Sequence, residues 1–384
     1  MQIKKTLENT HLAVLWLLIF SPKIVISSIP GLSSAMRIDV ILALIYSAIF
    51  LLKIILKKDC QKNKLLYVLF LFFGACAYVF NSKDYIVAVG QFLLYISLVG
   101  AFAHGASFVD KENWNVRRII FSLLKLNIII HILFYFLDIG TYSGAYVNDA
   151  GLEENYYIFG LYGISSMPFQ FAVYVAAFVF ILMHGGLGNR KSFVLWSLIA
   201  CVAMLTGDSR ISLVALILAV FGFWTILISP LLLFISNFFQ TKSISVFSNY
   251  GAISADPSLG MRLLNIENYL DWLSLKKFVL GGGAQSFLEF SEQYGFPGPL
   301  DMGYVRMVSE FGVIGFVFAM ITSMWFVKKR FSIKHKGLMS ALIFCAVYSV
   351  LNEGLLATRS GHLMIFVLGL LYFKPVSARM TSSK

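Results

Sequence analysis

The chain has 384 residues, 59% of them hydrophobic and only 13% charged, with a formal net charge of +12 and a mean hydropathy of +0.80. This composition lies outside the range of soluble globular domains and excludes a large aqueous domain, because roughly 20 apolar residues cross the hydrocarbon core and the length supplies about a dozen crossings. The expected class is an all-α polytopic membrane protein, with residues 1–384 forming a single integral membrane domain.

In chain order the apolar stretches predict spans at 11–29, 38–56, 65–80, 85–104, 119–137, 168–184, 192–206, 211–228, 231–248, 304–327, 338–353 and 360–373. The first has signal-sequence features, with Lys4 and Lys5 before it and Ser33-Ser34-Ala35 after it. Its apolar run exceeds an ordinary signal core and a second span follows almost at once, so a retained first helix is expected.

Orientation follows from the placement of lysine and arginine in short loops. With the N-terminus inside, the clusters Lys53 to Lys64, Lys111 to Arg118, Arg190-Lys191, Lys328 to Lys336 and the tail from Lys374 all fall on the cytoplasmic side, as do both termini. Residues 211–248 can be one long helix or a hairpin of two. A single crossing would carry Lys328-Lys329-Arg330 outside, so the hairpin, turning near Ser229-Pro230, is preferred; proline suits a sharp break because it lacks the helical donor and disfavours helix in the residue before it. The extracytoplasmic side then holds a first acidic loop, 138–167, a large loop, 249–303, and Arg210. The positive charge reflects this topology and anionic membrane lipid on the cytoplasmic face; no nucleic-acid motif is present.

The four cysteines, Cys60, Cys76, Cys201 and Cys345, show no CxxC spacing, and the six histidines form no HExxH motif. Neither a metal nor another cofactor is expected.

Chemistry concentrates on the outer side. Arginine keeps its charge at any accessible pH, and Arg210, in the polar interruption Gly207-Asp208-Ser209-Arg210 between two apolar stretches, needs an anion there; carboxylate and phosphate are the best bidentate partners. Within the large loop, residues 259–280 place Leu263, Ile266, Leu270 and Leu273 at helical spacing and predict an amphipathic helix lying on the membrane, with Arg262 near its start. Gly281-Gly282-Gly283 ends it, as a plain turn or as a close ligand approach. Arg262 pairs with Asp256 or a lipid headgroup, or joins Arg210 in clamping a pyrophosphate without a metal. Asp301, where the chain re-enters the membrane, is either a helix cap or a general base for a sugar hydroxyl. Arg306 and Glu310 are spaced to pair within a helix, and Glu353 and Arg359 flank the last outer turn and can pair with each other; all four are also candidate substrate contacts.

The order of these features, from Gly207 to Arg210 after a span, through two spans and a large outer loop with arginine, to Asp301-Met302-Gly303-Tyr304 and Glu310-Phe311-Gly312-Val313-Ile314-Gly315, resembles the O-antigen polymerase and ligase superfamily. The likeness is one of layout over nearly the whole chain, and its motifs are short. It implies a metal-independent glycosyltransferase at the outer face of the bacterial inner membrane, acting on undecaprenyl-pyrophosphate-linked oligosaccharide. Arg210 and Arg262 match the arginines expected to bind the pyrophosphate, and Asp301 is the expected base, with Glu153, Glu154 or Glu353 as substitutes. The ligase branch expects a histidine near the re-entry point, where this chain has Asp301, so the polymerase branch leads. A chain-length regulator protein is a further partner which that branch brings into view. The rival functions are an O-antigen ligase acting on lipid A core, and a lipid-linked glycan flippase or transporter using Lys125 and His131 of the fifth span.

Overall fold

A computed structural model describes residues 2–21, 25–26, 36–56, 78–82, 85–108, 110–139, 142–147, 153–159, 162, 168–184, 190–207, 210–221, 268–269, 271–284, 286, 290, 303–328, 336–351, 355 and 358–372. Its frame is helical. The principal helices are α1 (Gln2–Phe20), α2 (Ile38–Leu56), α3 (Tyr85–Gly105), α4 (Asp110–Phe136), α5 (Pro168–His184), α6 (Arg190–Thr206), α7 (Arg210–Phe221), α8 (Leu275–Leu280), α9 (Gly303–Lys328), α10 (Lys336–Leu351) and α11 (Thr358–Tyr372). Two short antiparallel ribbons join them, β1 (Val25–Ile26) with β2 (Met36–Arg37), and β3 (Tyr142–Val147) with β4 (Glu153–Phe159).

Ala88–Gly105 and Trp114–Phe136 are long and apolar enough to cross a membrane, and shorter apolar helices accompany them. The helix α5 is the centre of the bundle. Every residue from Phe171 to Leu182 is buried, as its uniformly apolar sequence requires, and α4, α6, α7, α10 and α11 pack around it. By contrast α4 turns Ile119, Leu123, Leu126, Leu133 and Phe136 outward, an apolar stripe that suits lipid.

The predicted spans agree with the helices at 38–56 and 168–184 and differ by a residue or two at several others. The first span is displaced: its helix starts at Gln2 and ends at Phe20, where Pro22 removes a donor, and Val25–Ile26 is extended instead. The fifth starts nine residues earlier, at Asp110, so Arg117 and Arg118 are helical. The amphipathic helix predicted through residue 280 is interrupted: Asp271 and Trp272 are helical, Leu273 and Ser274 are not, and Ser274 caps the new helix α8 by accepting from the Lys277 amide. The acidic loop 138–167 carries the β3–β4 ribbon, which pairs Tyr146 with Glu154 and Val147 with Glu153. Residues 65–77 of the predicted span 65–80, residues 222–228 of the span 211–228, and the whole span 231–248 lie outside the described residues.

Helices α3 and α11 pack closely and run in the same direction: Gly361 lies near Leu98, and Gly369 lies on the Phe102 carbonyl and Gly105. At Gly105 and Gly369 the backbones touch, leaving no room for a Cβ on either, the small-residue packing that apolar surroundings favour. Gly90 of α3 is the opposite case, with nothing within 4 Å of a Cβ placed there. Gly90→Ala is expected to raise the thermal midpoint in detergent, by a gain of about 0.5–1 kcal/mol from reduced unfolded-state freedom.

Candidate functional site

Helix α9 is broken. Gly312 has φ 68° and ψ 175° in its middle, a conformation open almost only to glycine, so the carbonyls one turn earlier lose their helical partners. The triple glycine supplies replacements: the Gly282 amide donates to the Ser309 carbonyl at 2.7 Å and the Gly283 amide to the Glu310 carbonyl at 3.1 Å. Ser286 Oγ adds a second bond to the Ser309 carbonyl at 3.0 Å. On its other side the glycine turn is tied to the segment before α3, where Ser82 Oγ accepts from the Ala284 amide at 2.7 Å and donates to the Tyr78 carbonyl at 2.7 Å. Three strands of chain, 78–82, 281–284 and 309–312, thus meet backbone to backbone. The glycines at 281–283 act as a close-packed turn, one of the two uses their sequence allows.

This junction positions a carboxylate. Glu310 is 3% exposed, and Arg306 Nε donates to its Oε1 at 2.9 Å across one helical turn, so the pairing predicted from their spacing is present. Tyr95 of α3 donates to Oε2, and Tyr78 Oη lies 3.2 Å from the same oxygen and 3.0 Å from Gln91 Oε1. A phenol has one proton, so Tyr78 serves both neighbours when Gln91 turns its NH2 toward it and Tyr78 donates to Glu310. Phe311 fixes the two phenol rings, stacked on Tyr78 at 4.9 Å between centroids and edge-on to Tyr95 at 5.1 Å. Both carboxylate oxygens are engaged, which suits Glu310 to holding Arg306 in place. Arg306 itself is 27% exposed.

Beside this junction Tyr269 and Phe290 form the centre of a separate small apolar cluster. Tyr269 packs edge-on to Phe290 at 5.3 Å, with Trp272, Leu273 and Val305 around them, and Lys277 Nζ sits 4.0 Å over the Trp272 ring. Burial pushes the Tyr269 phenol above its usual range.

The other predicted positions separate. Arg359 does not join Arg306: it is 2% exposed and hydrogen-bonds Tyr174 Oη, which donates to the Ile19 carbonyl at 2.6 Å. The two arginines flank α3, whose Tyr95 faces Glu310 while Ser97, two residues on and roughly opposite on a helix, faces His362 of α11. Arg210 is the first residue of α7, close after Gly207, which packs on Phe171 near the start of α5. Arg306, Glu310, Arg359 and the start of α7 therefore share one end of the bundle. The side chain of Arg210, and Arg262, Asp301 and Glu353 altogether, lie outside the described residues. In the fifth span, Lys125 sits over the Trp196 ring at 4.3 Å and His131 Nε2 lies 2.8 Å from Thr206 Oγ1. Tyr78, Gln91 and Tyr95 were not among the predicted site residues.

Compared with protein-family models, with curated proteins and with solved structures, the chain matches none.

Proposed function

We propose that the protein is an O-antigen polymerase, a twelve-span glycosyltransferase of the bacterial inner membrane with its site on the periplasmic face. It transfers a growing glycan from undecaprenyl pyrophosphate to the terminal sugar of another lipid-linked repeat unit. The observation that carries this reading is the broken helix α9, which brings Arg306 and Glu310 to the end of the bundle where α7 opens with Arg210. A break in a membrane helix is tolerated where protein or a cavity covers the freed backbone, and such breaks accompany binding sites. Supporting it further, Glu310 of α9 and Ala284 contact the segment that precedes α3, which agrees with the even number of crossings between them that the proposed hairpin over 211–248 gives.

The donor carries its activation in the glycosyl pyrophosphate bond. An acceptor hydroxyl oxygen attacks the anomeric carbon, the carbon–oxygen bond to phosphate breaks, and the pyrophosphate leaves with the electron pair. Arg210 and Arg262 hold that charge, and Asp301 takes the hydroxyl proton. Arg306, fixed by Glu310, supplies a further cation for that charge.

Purified protein given a defined undecaprenyl-pyrophosphate-linked repeat is expected to produce a ladder of polymer. Arg210→Ala or Arg262→Ala should cut its rate by about 10²-fold or more with the thermal midpoint unchanged. Lysine at either position should restore only part of the rate, because a point charge does not replace a two-pronged contact. Full ladders from both alanine variants would refute the clamp, and no ladder from the unaltered protein would refute polymerisation. Deleting the gene should leave core carrying a single repeat; bare core with lipid-linked polymer would indicate a ligase instead.

A further inference from the structure

Apart from the Glu310 junction, the bundle buries a second set of polar side chains, and they form a column. Helix α2 places Asp39, Tyr46 and Lys53 seven residues apart, hence on one face and about 10.5 Å from one to the next along the axis. Helix α3 repeats the spacing with Ser97 and His104. Helix α1 adds His11, α5 adds Tyr174, and α11 adds Arg359 and His362. Apart from Lys53, each of these side chains is at most 8% exposed. Keeping so many ionisable groups inside an apolar bundle is costly, and in membrane proteins such groups mark pathways for protons or ions.

The contacts divide the column into two clusters. In the half toward the C-terminal end of α3, Lys53 Nζ is 3.3 Å from His11 Nδ1, the His11 ring stacks on His104 at 4.7 Å and 10°, and Tyr46 Oη is 3.3 Å from His104 Nδ1. An ammonium only donates, so a charged Lys53 requires a bare Nδ1 on His11 and places that histidine's proton on Nε2, which is buried with no hydrogen-bond partner among the described residues. An ammonium touching a bare imidazole nitrogen is a donor and acceptor in contact. In the other half His362 Nε2 is 2.6 Å from Ser97 Oγ, which donates to the Leu94 carbonyl and so accepts from His362. Asp39 acts electrostatically on both His362 and Tyr174, and Arg359 donates to Tyr174. Between the clusters the facing positions carry small or apolar residues, Ala43 and Ala101, both fully buried, with Gly100 beside them.

We infer that this column is a proton pathway through the bundle, running Lys53, His11, His104 and Tyr46, then across the alanine step to Ser97, His362 and Asp39. A proton entering at Lys53 passes to His11 Nδ1 as His11 releases the one on Nε2; the stacked His11 and His104 rings share no hydrogen bond, so water carries it between them, and beyond the alanine step His362 passes it on toward Asp39. The alanine step has no acceptor of its own and is bridged by water, so it sets the rate; apolar constrictions of this kind gate by wetting. This activity does not depend on the glycan-transfer proposal, because none of its groups belongs to the Glu310 junction.

The test uses the full-length protein in phosphatidylcholine and phosphatidylglycerol vesicles with a trapped pH-sensitive dye, driven by a potassium gradient and valinomycin. Vesicles with protein should take up protons well above the rate of protein-free vesicles. His104→Phe and His362→Phe should each return the rate to that background, and Ala101→Ser, which adds a hydroxyl to the slow step, should raise it. Gly90→Ala should conduct like the unaltered chain. Should His104→Phe fail to purify as a single species, Tyr46→Phe, which removes one oxygen, carries the same expectation of reduced uptake. Proton uptake by the unaltered protein no faster than protein-free vesicles overturns the pathway, as does full uptake by the variants.

Discussion

Gly312→Ala is expected to prevent accumulation of folded protein. A Cβ there would strike the Val279 carbonyl oxygen and the Gly281 amide nitrogen, with the Leu280 carbonyl carbon at 2.6 Å. These are backbone atoms of a turn already held by the Gly282 and Gly283 amides, so no side chain can swing away to make room. The positive φ of 68° adds strain for any residue with a Cβ, on the order of 1–3 kcal/mol before the clash is counted. That is a large share of the stability of a typical domain. Size-exclusion chromatography in detergent and a thermal melt supply the check, with Gly90→Ala as the helical glycine that tolerates the same change. A monodisperse Gly312→Ala protein of unchanged midpoint would show that the junction of 78–82, 281–284 and 309–312 does not form.

Replacing Glu310 by alanine should be nearly as severe, by a different route. Removal of one partner from a buried ion pair costs about 3–5 kcal/mol, because the remaining charge and donors lose their acceptor. Here the stranded groups are Arg306 and the phenols of Tyr78 and Tyr95; since Arg306 is 27% exposed and reaches water, the lower end of that range applies. The double variant Arg306→Met with Glu310→Leu removes charge and countercharge together and should recover part of the thermal midpoint, the rest being withheld because the Tyr78 and Tyr95 phenols still lack the carboxylate. If glycan transfer then stays absent while the fold returns, Arg306 serves the reaction; if transfer returns with the fold, the pair is architectural only.

Several features were legible from residues alone. The spans at 38–56 and 168–184 are predominantly apolar, and their helices have the predicted bounds. Arg306 and Glu310 needed only the helical period. Elsewhere local pattern gave too little. The β3–β4 ribbon was hidden because Tyr142–Val147 and Glu153–Phe159 alternate weakly and sit in a loop recognised only by its acidity. The break at Gly312 was hidden because a glycine inside a long apolar stretch is common in membrane helices, and its meaning depends on Gly281 to Gly283, far away in the chain. Tyr78 and Tyr95 are joined to Glu310 across more than 200 residues, beyond any local signal. The polar column did leave a trace that a search for site motifs passes over: Asp39, Tyr46 and Lys53 recur every seventh residue within one span.

The burial of α5 on all sides bears on how the chain is assembled. Its neighbours α10 and α11 are synthesised long after it, so α5 first meets lipid on the faces that later meet Phe344 and Leu363. For Phe, Val and Ala that wait is nearly free, since hydrocarbon tails and apolar side chains are equivalent surroundings. Tyr174 is the exception, because the guanidinium that meets its oxygen arrives only with α11. Docking of α11 is thereby the event that completes the polar bonding of the centre, and a chain stopped before Thr358 would hold a lipid-soluble but unfinished bundle, exposed to quality-control proteolysis.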